Sequence, residues 1–203
     1  MKVKLTQGEL KRQRDALRQY ERYLPTLHLK KQLVQLEISQ QQNVLRERKK
    51  SLSEMEEAGK TWSRLLVEAP DIRQWLIPED IISSKKNVAG VDIPVFDHII
   101  FKPAEYDLFL TPLWVDAGLK TLRDMVSVQE EIRVIEDGIV VLKHELRITT
   151  QRVNLFEKVK IPEAKEAIRL IKIYIGDQMT NAVCRSKIAK NKIELANFEE
   201  AAM

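Results

Sequence analysis

Glycine is scarce in this sequence: 6 of the 203 residues are Gly, whereas 32% of the residues are charged. Glycine provides the tight turns between short strands, so a charge-rich chain with few glycines favours long helices over sheets. Aromatic residues are also few, at 6% of the chain. We therefore expect a slender, helix-dominated fold with a thin core.

Cysteine and long apolar runs are nearly missing as well. The single cysteine, Cys184, excludes an intramolecular disulfide and a cysteine-cluster metal site. It falls on an apolar stripe, where we expect a small buried side chain. No apolar run approaches the roughly 18 residues that a membrane span needs, and the basic N-terminus lacks the apolar core of a signal peptide. We expect a cytoplasmic protein without direct membrane insertion.

Motifs for chemistry are absent from the sequence too. There is no phosphate-binding glycine loop, and no His-x-x-x-His or paired-cysteine spacing. The neighbours Asp97 and His98 have no evident nucleophile to serve, so we interpret them as a loop feature. We therefore predict that the chain is not an enzyme and has no catalytic, cofactor or metal site.

The charge is unevenly distributed along the chain. Residues 1–66 hold 15 Lys and Arg against 8 Asp and Glu, a net charge of +7, while the remainder carries −3. A basic segment could bind nucleic acid or an acidic protein surface. We favour a solvated helix face and expect no nucleic-acid partner, because acids alternate with the bases and few aromatics are available to stack on bases.

A heptad repeat runs through the first third of the chain. Steps of four and three residues from Thr6 to Leu66 meet 18 positions, of which 12 are apolar. This 3.5-residue period is typical of a left-handed coiled coil. Pro25 lies inside it and should kink or break the helix. The polar positions Lys31, Gln41 and Arg48 could fix the register or weaken the seam.

A second seam follows the same steps late in the chain, and it is almost uninterrupted. It comprises Val128, Ile132, Ile135, Ile139, Leu142, Leu146, Thr149, Val153 and Phe156. After Pro162 the apolar pattern doubles into two adjacent stripes, with Ala164, Ile168, Ile171 and Ile175 on one and Ala167, Leu170 and Tyr174 on the other. One partner helix cannot cover both stripes, so something else must surround this part of the helix.

Five of the seven prolines lie between the seams, within residues 67–112. This density excludes a continuous helix, and the stretch NVAGVDIPVFDHIIF has a glycine turn followed by β-like runs. We expect a small lobe here, for which a short β-hairpin is one possible form. The predicted architecture is a long antiparallel two-helix coiled coil with arms at 1–66 and 113–203, because each arm has a seam to bury.

The segment ITTQRVNLFEKVKIP combines polar residues, a seam and a proline in a fixed order. With LTQGELKRQRDAL, LKKQLVQLEI and GVDIP, it resembles the D subunits of V-type (V/A-type) rotary ATPases over nearly the whole chain. The family's run is a threonine, then Arg-Arg-Val-Asn-Ala-Leu-Glu, a short apolar stretch and Ile-Pro. This chain departs from it at Gln151 and at Leu155-Phe156. It keeps Thr149, Arg152, Val153, Asn154, Glu157, Ile161 and Pro162.

The resemblance implies a rotor shaft of the central stalk. Its terminal ends would enter a ring of catalytic A and non-catalytic B subunits, and its middle lobe would lie near the small F subunit of the stalk and the socket subunit that joins the membrane ring. ATP would bind the ring, so the chain needs no cofactor, and it would be peripheral to the membrane through the complex. The apolar section would supply bearing contacts through Ile168, Leu170, Ile171, Tyr174 and Ile175. An antiparallel coiled-coil scaffold or chaperone arm is the alternative function.

Overall fold

A computed structural model describes residues 4–68, 70–106 and 111–201 of the protein. Helix α1 spans Gln7–Lys60, α2 spans Trp114–Leu155 and α3 spans Ile161–Ala201, with a single π-helical turn at Phe156–Lys160 between the last two. Two 3₁₀ segments, Ser63–Glu68 and Pro70–Leu76, lead into strands β1 (Pro78–Val88) and β2 (Val91–Phe101). The predicted helix-dominated fold is confirmed, and the middle of the chain forms a β-hairpin.

The chain folds as two compact units. The first unit contains the chain up to residue 28 and from residue 151 onward, and the second contains residues 29–150. The sequence predicted that Pro25 would either kink or break the helix. Helix α1 continues through Pro25, so the helix is not broken there. The division into arms and lobe at residues 66 and 112 follows the order of the elements and stays a prediction.

Burial along α1 follows the heptad positions. Of the 18 heptad positions between Thr6 and Leu66, all except Thr6 and Arg48 are buried or half-buried. The nine positions of the second seam, from Val128 to Phe156, are likewise all buried or half-buried. Thr6 lies just before the helix, and its hydroxyl accepts a hydrogen bond from the Glu9 backbone N–H at 3.3 Å, which caps the first turn.

In the second unit, α1 and α2 pair antiparallel. Salt bridges join Lys30 to Glu145 at 2.7 Å and Arg48 to Glu131 at 2.9 Å, so residues later in α1 meet residues earlier in α2. The core consists of apolar side chains from both helices and from β2, namely Val34, Ile38, Leu142, Val91 and Ile93. The hairpin therefore packs against the helix pair and completes its core.

The hairpin turn depends on two residues with positive φ. Ala89 has φ +52° and Gly90 has φ +81°, as in the two-residue turns whose twist matches that of paired strands. The Asn87 side chain accepts a hydrogen bond from the Gly90 N–H at 3.0 Å and donates one to Asp92 at 2.6 Å. Strand β2 lies against α2 at Gly138, where a Cβ would be 3.7 Å from the Pro94 carbonyl oxygen, an ordinary van der Waals distance.

A buried carboxylate ties the hairpin to α1. Glu37 accepts hydrogen bonds from Gln41 at 2.9 Å and from the Lys86 ammonium of β1 at 3.0 Å. The hydrogen bond from Gln41, together with the bond and the charge of Lys86, outweighs desolvation and lowers the pKa of Glu37 below its ordinary value. Glu37 is thus ionised at neutral pH and holds the hairpin through Lys86.

Arg123 organises the other end of the hairpin. Its guanidinium donates hydrogen bonds to the carbonyl oxygens of Trp75 and Lys102, at 3.1 and 2.7 Å, and lies over the Phe101 ring at 5.1 Å. The Trp75 ring packs on Tyr106 with centroids 5.0 Å apart. Tyr106 in turn donates a hydrogen bond to Asp116. Arg123 thus links α2 to the second 3₁₀ segment and to the end of β2.

Candidate functional site

The motif segment in the first unit turns Val153 and Phe156 inward, while its polar residues and the apolar Leu155 and Val159 are exposed. Val153 is 2% exposed, and the Phe156 ring packs on Tyr20 with centroids 5.2 Å apart. Arg152, Asn154 and Glu157 are exposed. The motif therefore leaves three polar side chains available on the outer face of this helix.

Thr149 and Pro162 lie at the two ends of the motif. Thr149, in the second unit, is 1% exposed at a seam position of α2. Pro162 is exposed near the start of α3, and Ile161 is half-buried. The motif residues thus differ in burial, and only some of them are free to meet a partner.

The π turn at Phe156–Lys160 accommodates Pro162. The Ile161 N–H donates to the Phe156 carbonyl oxygen, five residues back, where an α-helix would use the residue four back. Proline has no N–H, and in a regular helix its ring collides with the carbonyl four residues earlier, here that of Lys158. The wider turn provides the space that this ring needs, so the helix continues past the proline.

The π turn also shifts the seam by one residue. The α2 spacing, continued past Phe156 with alternating steps of four and three, would bury Leu170 and Tyr174. In the structure these two side chains are 45% and 39% exposed, whereas Ile171 is fully buried and Ile175 is half-buried. One extra residue turns α3 by about 100°, which selects the first of the two apolar stripes for the seam.

The five residues predicted as bearing contacts are therefore divided between two faces. Ile168, Ile171 and Ile175 pack inward to different degrees, and Leu170 and Tyr174 lie outside. Ile173, 50% exposed, joins the outer pair and was not predicted. Only the position of the π turn would have identified it, because Ile173 belongs to neither stripe of the heptad pattern.

A groove between α1 and α3 lies next to the π turn. It has a volume of about 620 Å³, and its walls include Gln13 and Tyr20 of α1 and Leu170 of α3. Small side chains line it as well: Ala16, Ala164 and Ala167. The two helices are thus incompletely packed just beyond the turn.

The end of α3 has apolar side chains without cover in the part of the chain that the structure describes. A groove near the start of α1 is lined by Gln7 on one side and by Met179 and Ala182 on the other. Every described side chain from 176 to 195 is exposed. Five large apolar ones are 56–63% exposed: Met179, Val183, Ile188, Ile193 and Leu195.

The same stretch is basic and contains the cysteine. Arg185, Lys187, Lys190 and Lys192 outnumber its single acid, Glu194, between residues 182 and 195. Cys184 is exposed, so the expectation that it is buried was wrong. It lies on the stripe of Leu170 and Tyr174, which is already exposed at these two residues.

Within the residues that the structure describes, no group of His, Cys, Asp and Glu is placed to hold a metal ion. Asp97 and His98 lie within strand β2, so their interpretation as a loop feature was wrong. Over the described part of the chain, no helix has the length and apolar character needed to cross a membrane.

Comparison with known proteins identifies the family. The family model of the ATP synthase D subunit matches residues 9–191. The V-type ATP synthase D subunit of Borreliella burgdorferi is 42% identical over 192 residues, which cover 95% of each chain. The protein of the same name from Chlamydia abortus is 34% identical over 201 residues, covering 95% of this chain and 94% of that one.

These matches extend through both arms, the hairpin and the π turn. They agree with the resemblance that the motif before Pro162 indicates, and they cover the exposed stretch of α3 to residue 191. Because the family model spans most of the chain and the relatives match over 95% of it, this chain belongs to the family of ATP synthase D subunits.

Proposed function

We propose that the chain is the central rotor shaft of a V/A-type rotary ATPase. As a member of the D-subunit family, it is a stalk component and not a catalytic one. Nucleotide chemistry takes place in a ring of catalytic A and non-catalytic B subunits. Rotation of the shaft couples that chemistry, as hydrolysis or synthesis of ATP, to ion translocation through a membrane ring.

The exposed end of α3 is the observation that carries this proposal. Large apolar side chains at Met179, Val183, Ile188, Ile193 and Leu195 are more than half exposed, and exposed apolar surface of this extent is typical of an interaction site. Because these residues lie on two opposite faces of one helix, a surrounding partner covers them better than a single docked surface does. The bore of a ring of subunits has this geometry.

The outer face near the π turn is proposed to bear against the ring wall. Leu170, Ile173 and Tyr174 form an exposed apolar row there, and Arg152, Asn154 and Glu157 add exposed polar groups nearby in sequence. Around its axis, this helix therefore presents faces that carry different side chains. Each catalytic interface therefore meets a different face, and the differences in contact free energy decide which interface is open.

The basic stretch from Arg185 to Lys192 is proposed to follow acidic groups on the inner wall of the ring. Complementary charge of this kind guides association and discriminates against wrong partners. Nucleic acid is not the expected partner, and the chain itself requires no cofactor. The complex places the chain on the cytoplasmic side, peripheral to the membrane.

The second unit is proposed to meet the small F subunit of the stalk and the socket subunit. Leu29, Leu33 and Leu36 form an exposed apolar row on α1 outside the seam, with the spacing of a helix face that docks on a partner. We assign this row to the F subunit. The end of the hairpin organised by Arg123 is assigned to the socket.

A rotation assay on a reconstituted ring tests the proposal. The natural Cys184 is replaced by Ser, a bead is attached through a cysteine at the exposed Ser83 of β1, and ATP is added. We expect stepwise rotation with the full chain. A chain ending at residue 182 should lose stepwise rotation, because the exposed part of α3 is missing.

A second variant distinguishes the effect of the length of α3 from the effect of its apolar surface in the same assay. In it, Ile188 and Ile193 are both replaced by Asp, which keeps the helix length and removes apolar contact. We expect weaker assembly with the ring and more rotational slipping. Stepwise rotation by the truncated chain, equal to that of the full chain, would contradict the proposal.

A further inference from the structure

We propose that the π turn at Phe156–Lys160 is a register switch that lets α3 present either of its two apolar stripes to α1. In the structure, the stripe of Ala164, Ile168, Ile171 and Ile175 faces the seam. In the alternative register, the stripe of Ala167, Leu170 and Tyr174 takes its place. This is a property of the chain itself, and it goes beyond the proposed function.

The geometry of a π turn allows this exchange. The turn contains one residue more than an α-helical turn, as the bond from Ile161 N–H to the Phe156 carbonyl oxygen shows. If the Ile161 N–H bonds to the residue four back instead, every residue of α3 turns by about 100° and advances by about 1.5 Å. Each position then takes the place of its successor, so Leu170 enters the site of Ile171.

Both stripes are apolar from residue 167 onward, which lowers the free-energy cost of the second register along this part of α3. Leu170 and Tyr174 would bury in exchange for Ile171 and Ile175. A sequence with one apolar stripe would lose these contacts on such a turn, whereas this sequence replaces the contacts of Ile171 and Ile175 by those of Leu170 and Tyr174. Fixed points remain before the turn, where Val153 is buried and Phe156 packs on Tyr20.

The groove beside the turn supplies the space. Its volume of about 620 Å³ is bordered by Ala16, Ala164 and Ala167, and Leu170 already lies at its edge. A turn of α3 would carry the Leu170 side chain into this space. Incomplete packing at the site of the exchange removes the steric barrier that a close-packed seam would present.

Three residues hold the observed register. Pro162 disfavours the α-helical turn because its ring would meet the carbonyl four residues earlier. Glu163 would enter the place of Ala164, which is 4% exposed. Glu166 would likewise enter the place of Ala167, which is 7% exposed, and a carboxylate at either position would lose much of its hydration. The π register is therefore the major state, and replacement of Pro162 removes one of its supports.

Thiol labelling of single-cysteine chains tests the switch. In a Cys184→Ser background, cysteine replaces Ala164 in one chain and Leu170 in another. Ala164 is buried and Leu170 is exposed, so we expect cysteine at 170 to react with a maleimide at least about tenfold faster. The switch predicts that Pro162→Ala speeds labelling at 164 at least tenfold and slows labelling at 170.

A third cysteine distinguishes a turn of the helix from unfolding. Val153 lies before the π turn, where the chain does not move in the proposed exchange, and its side chain is 2% exposed, so Val153→Cys provides this control. We expect Pro162→Ala to leave its labelling slow. A parallel rise at 153 and 164 would mean that the helices separate, and it would overturn the proposal, as would an unchanged ratio between 164 and 170.

Deletion of Lys158 should have the opposite effect to Pro162→Ala, because it should block the exchange of register. Removing one residue from the π turn yields an α-helical turn that keeps the downstream residues in their present register, and no extra residue is left to exchange. We expect slower labelling at 164 than in the parent chain, with 170 still fast. Labelling at 164 equal to that of the parent would show that the parent does not visit the second register.

Discussion

Alanine substitution at two glycines that have open space around them should show the effect of the backbone conformation on stability without any new side-chain contact. Gly90 has φ +81° in the hairpin turn and Gly176 lies within α3, and a Cβ at either position would meet nothing within 4 Å. Gly90→Ala should lower the free energy of unfolding by about 1–2 kcal/mol, because an L side chain is strained at this φ. Gly176→Ala should raise it by about 0.5–1 kcal/mol.

Urea unfolding followed by circular dichroism measures both variants. Since neither added methyl group contacts a neighbour, the difference in sign comes from the backbone alone. Equal effects at the two positions would mean that the hairpin turn does not have the conformation described.

Glu37 should make the stability of the chain depend on pH. Its pKa is lowered from the ordinary value of 4.5, principally by the hydrogen bond from Gln41 and further by Lys86. A carboxylate with a lowered folded-state pKa stabilises the fold fully above the unfolded-state pKa, and this stabilisation disappears as the pH falls through the folded-state pKa. At neutral pH, Glu37→Gln should cost about 1 kcal/mol of unfolding free energy.

Acid titration of stability checks this prediction. The gap between the parent and Glu37→Gln should close as the pH falls from about 5 to below the lowered pKa. Glu136→Gln is the control: its ion pair with Lys49 has both side chains about half exposed, so its effect should stay within about 0.5 kcal/mol. A constant gap for Glu37 down to the lowest pH would contradict the assignment.

At the residue scale, the heptad pattern predicted burial well where a partner helix is present. It failed at Cys184, because a stripe shows which side of a helix is apolar and not whether anything covers it. The hydrogen bond from Lys86 to Glu37 could not be predicted, since it joins α1 to a strand residue 49 positions away along the chain.

At the element scale, the seam before the π turn should be sensitive to a buried charge. Val153→Asp should lower the free energy of unfolding by about 3 kcal/mol or more, because the carboxylate would be buried without a partner. Val140→Asp makes the same substitution in the same helix at a position that is 65% exposed, and it should cost less than about 1 kcal/mol.

Thermal unfolding followed by circular dichroism distinguishes the two variants. A similar melting temperature for Val153→Asp and Val140→Asp would mean that Val153 does not lie in a packed seam. This comparison uses the isolated chain, so it does not depend on any other component of a complex.

The helices could be predicted from spacing and prolines, and the glycine turn left a hairpin as one possible form of the middle lobe, but the π turn could not be predicted. The sequence places Pro162 inside an otherwise helical pattern, which predicts a bend in the helix. The widened turn is evident only from the hydrogen bond from Ile161 to Phe156. The division of the predicted bearing residues into an inner and an outer row follows from that single turn.

At the scale of the whole molecule, the sequence motif indicated the family, and the comparisons confirm it over residues 9–191. The surfaces that meet other proteins could not be predicted from the chain alone, because exposure of Leu170 or Ile188 becomes meaningful only once the packing within the chain is known. The same packing leaves apolar side chains on the end of α3 for a partner to cover.

The most direct measurement of the central claim is the identity of the proteins that bind the chain in its own cells. A tagged copy is purified from the cytoplasm and from detergent-solubilised membranes, and stoichiometric partners are identified by mass spectrometry. We expect the catalytic and non-catalytic ATPase subunits together with a small stalk protein, and loss of the two ring components when the chain ends at residue 182. Recovery of the chain alone, as a homo-oligomer or with varied unfolded clients would contradict the rotor-shaft function and favour a scaffold or chaperone arm.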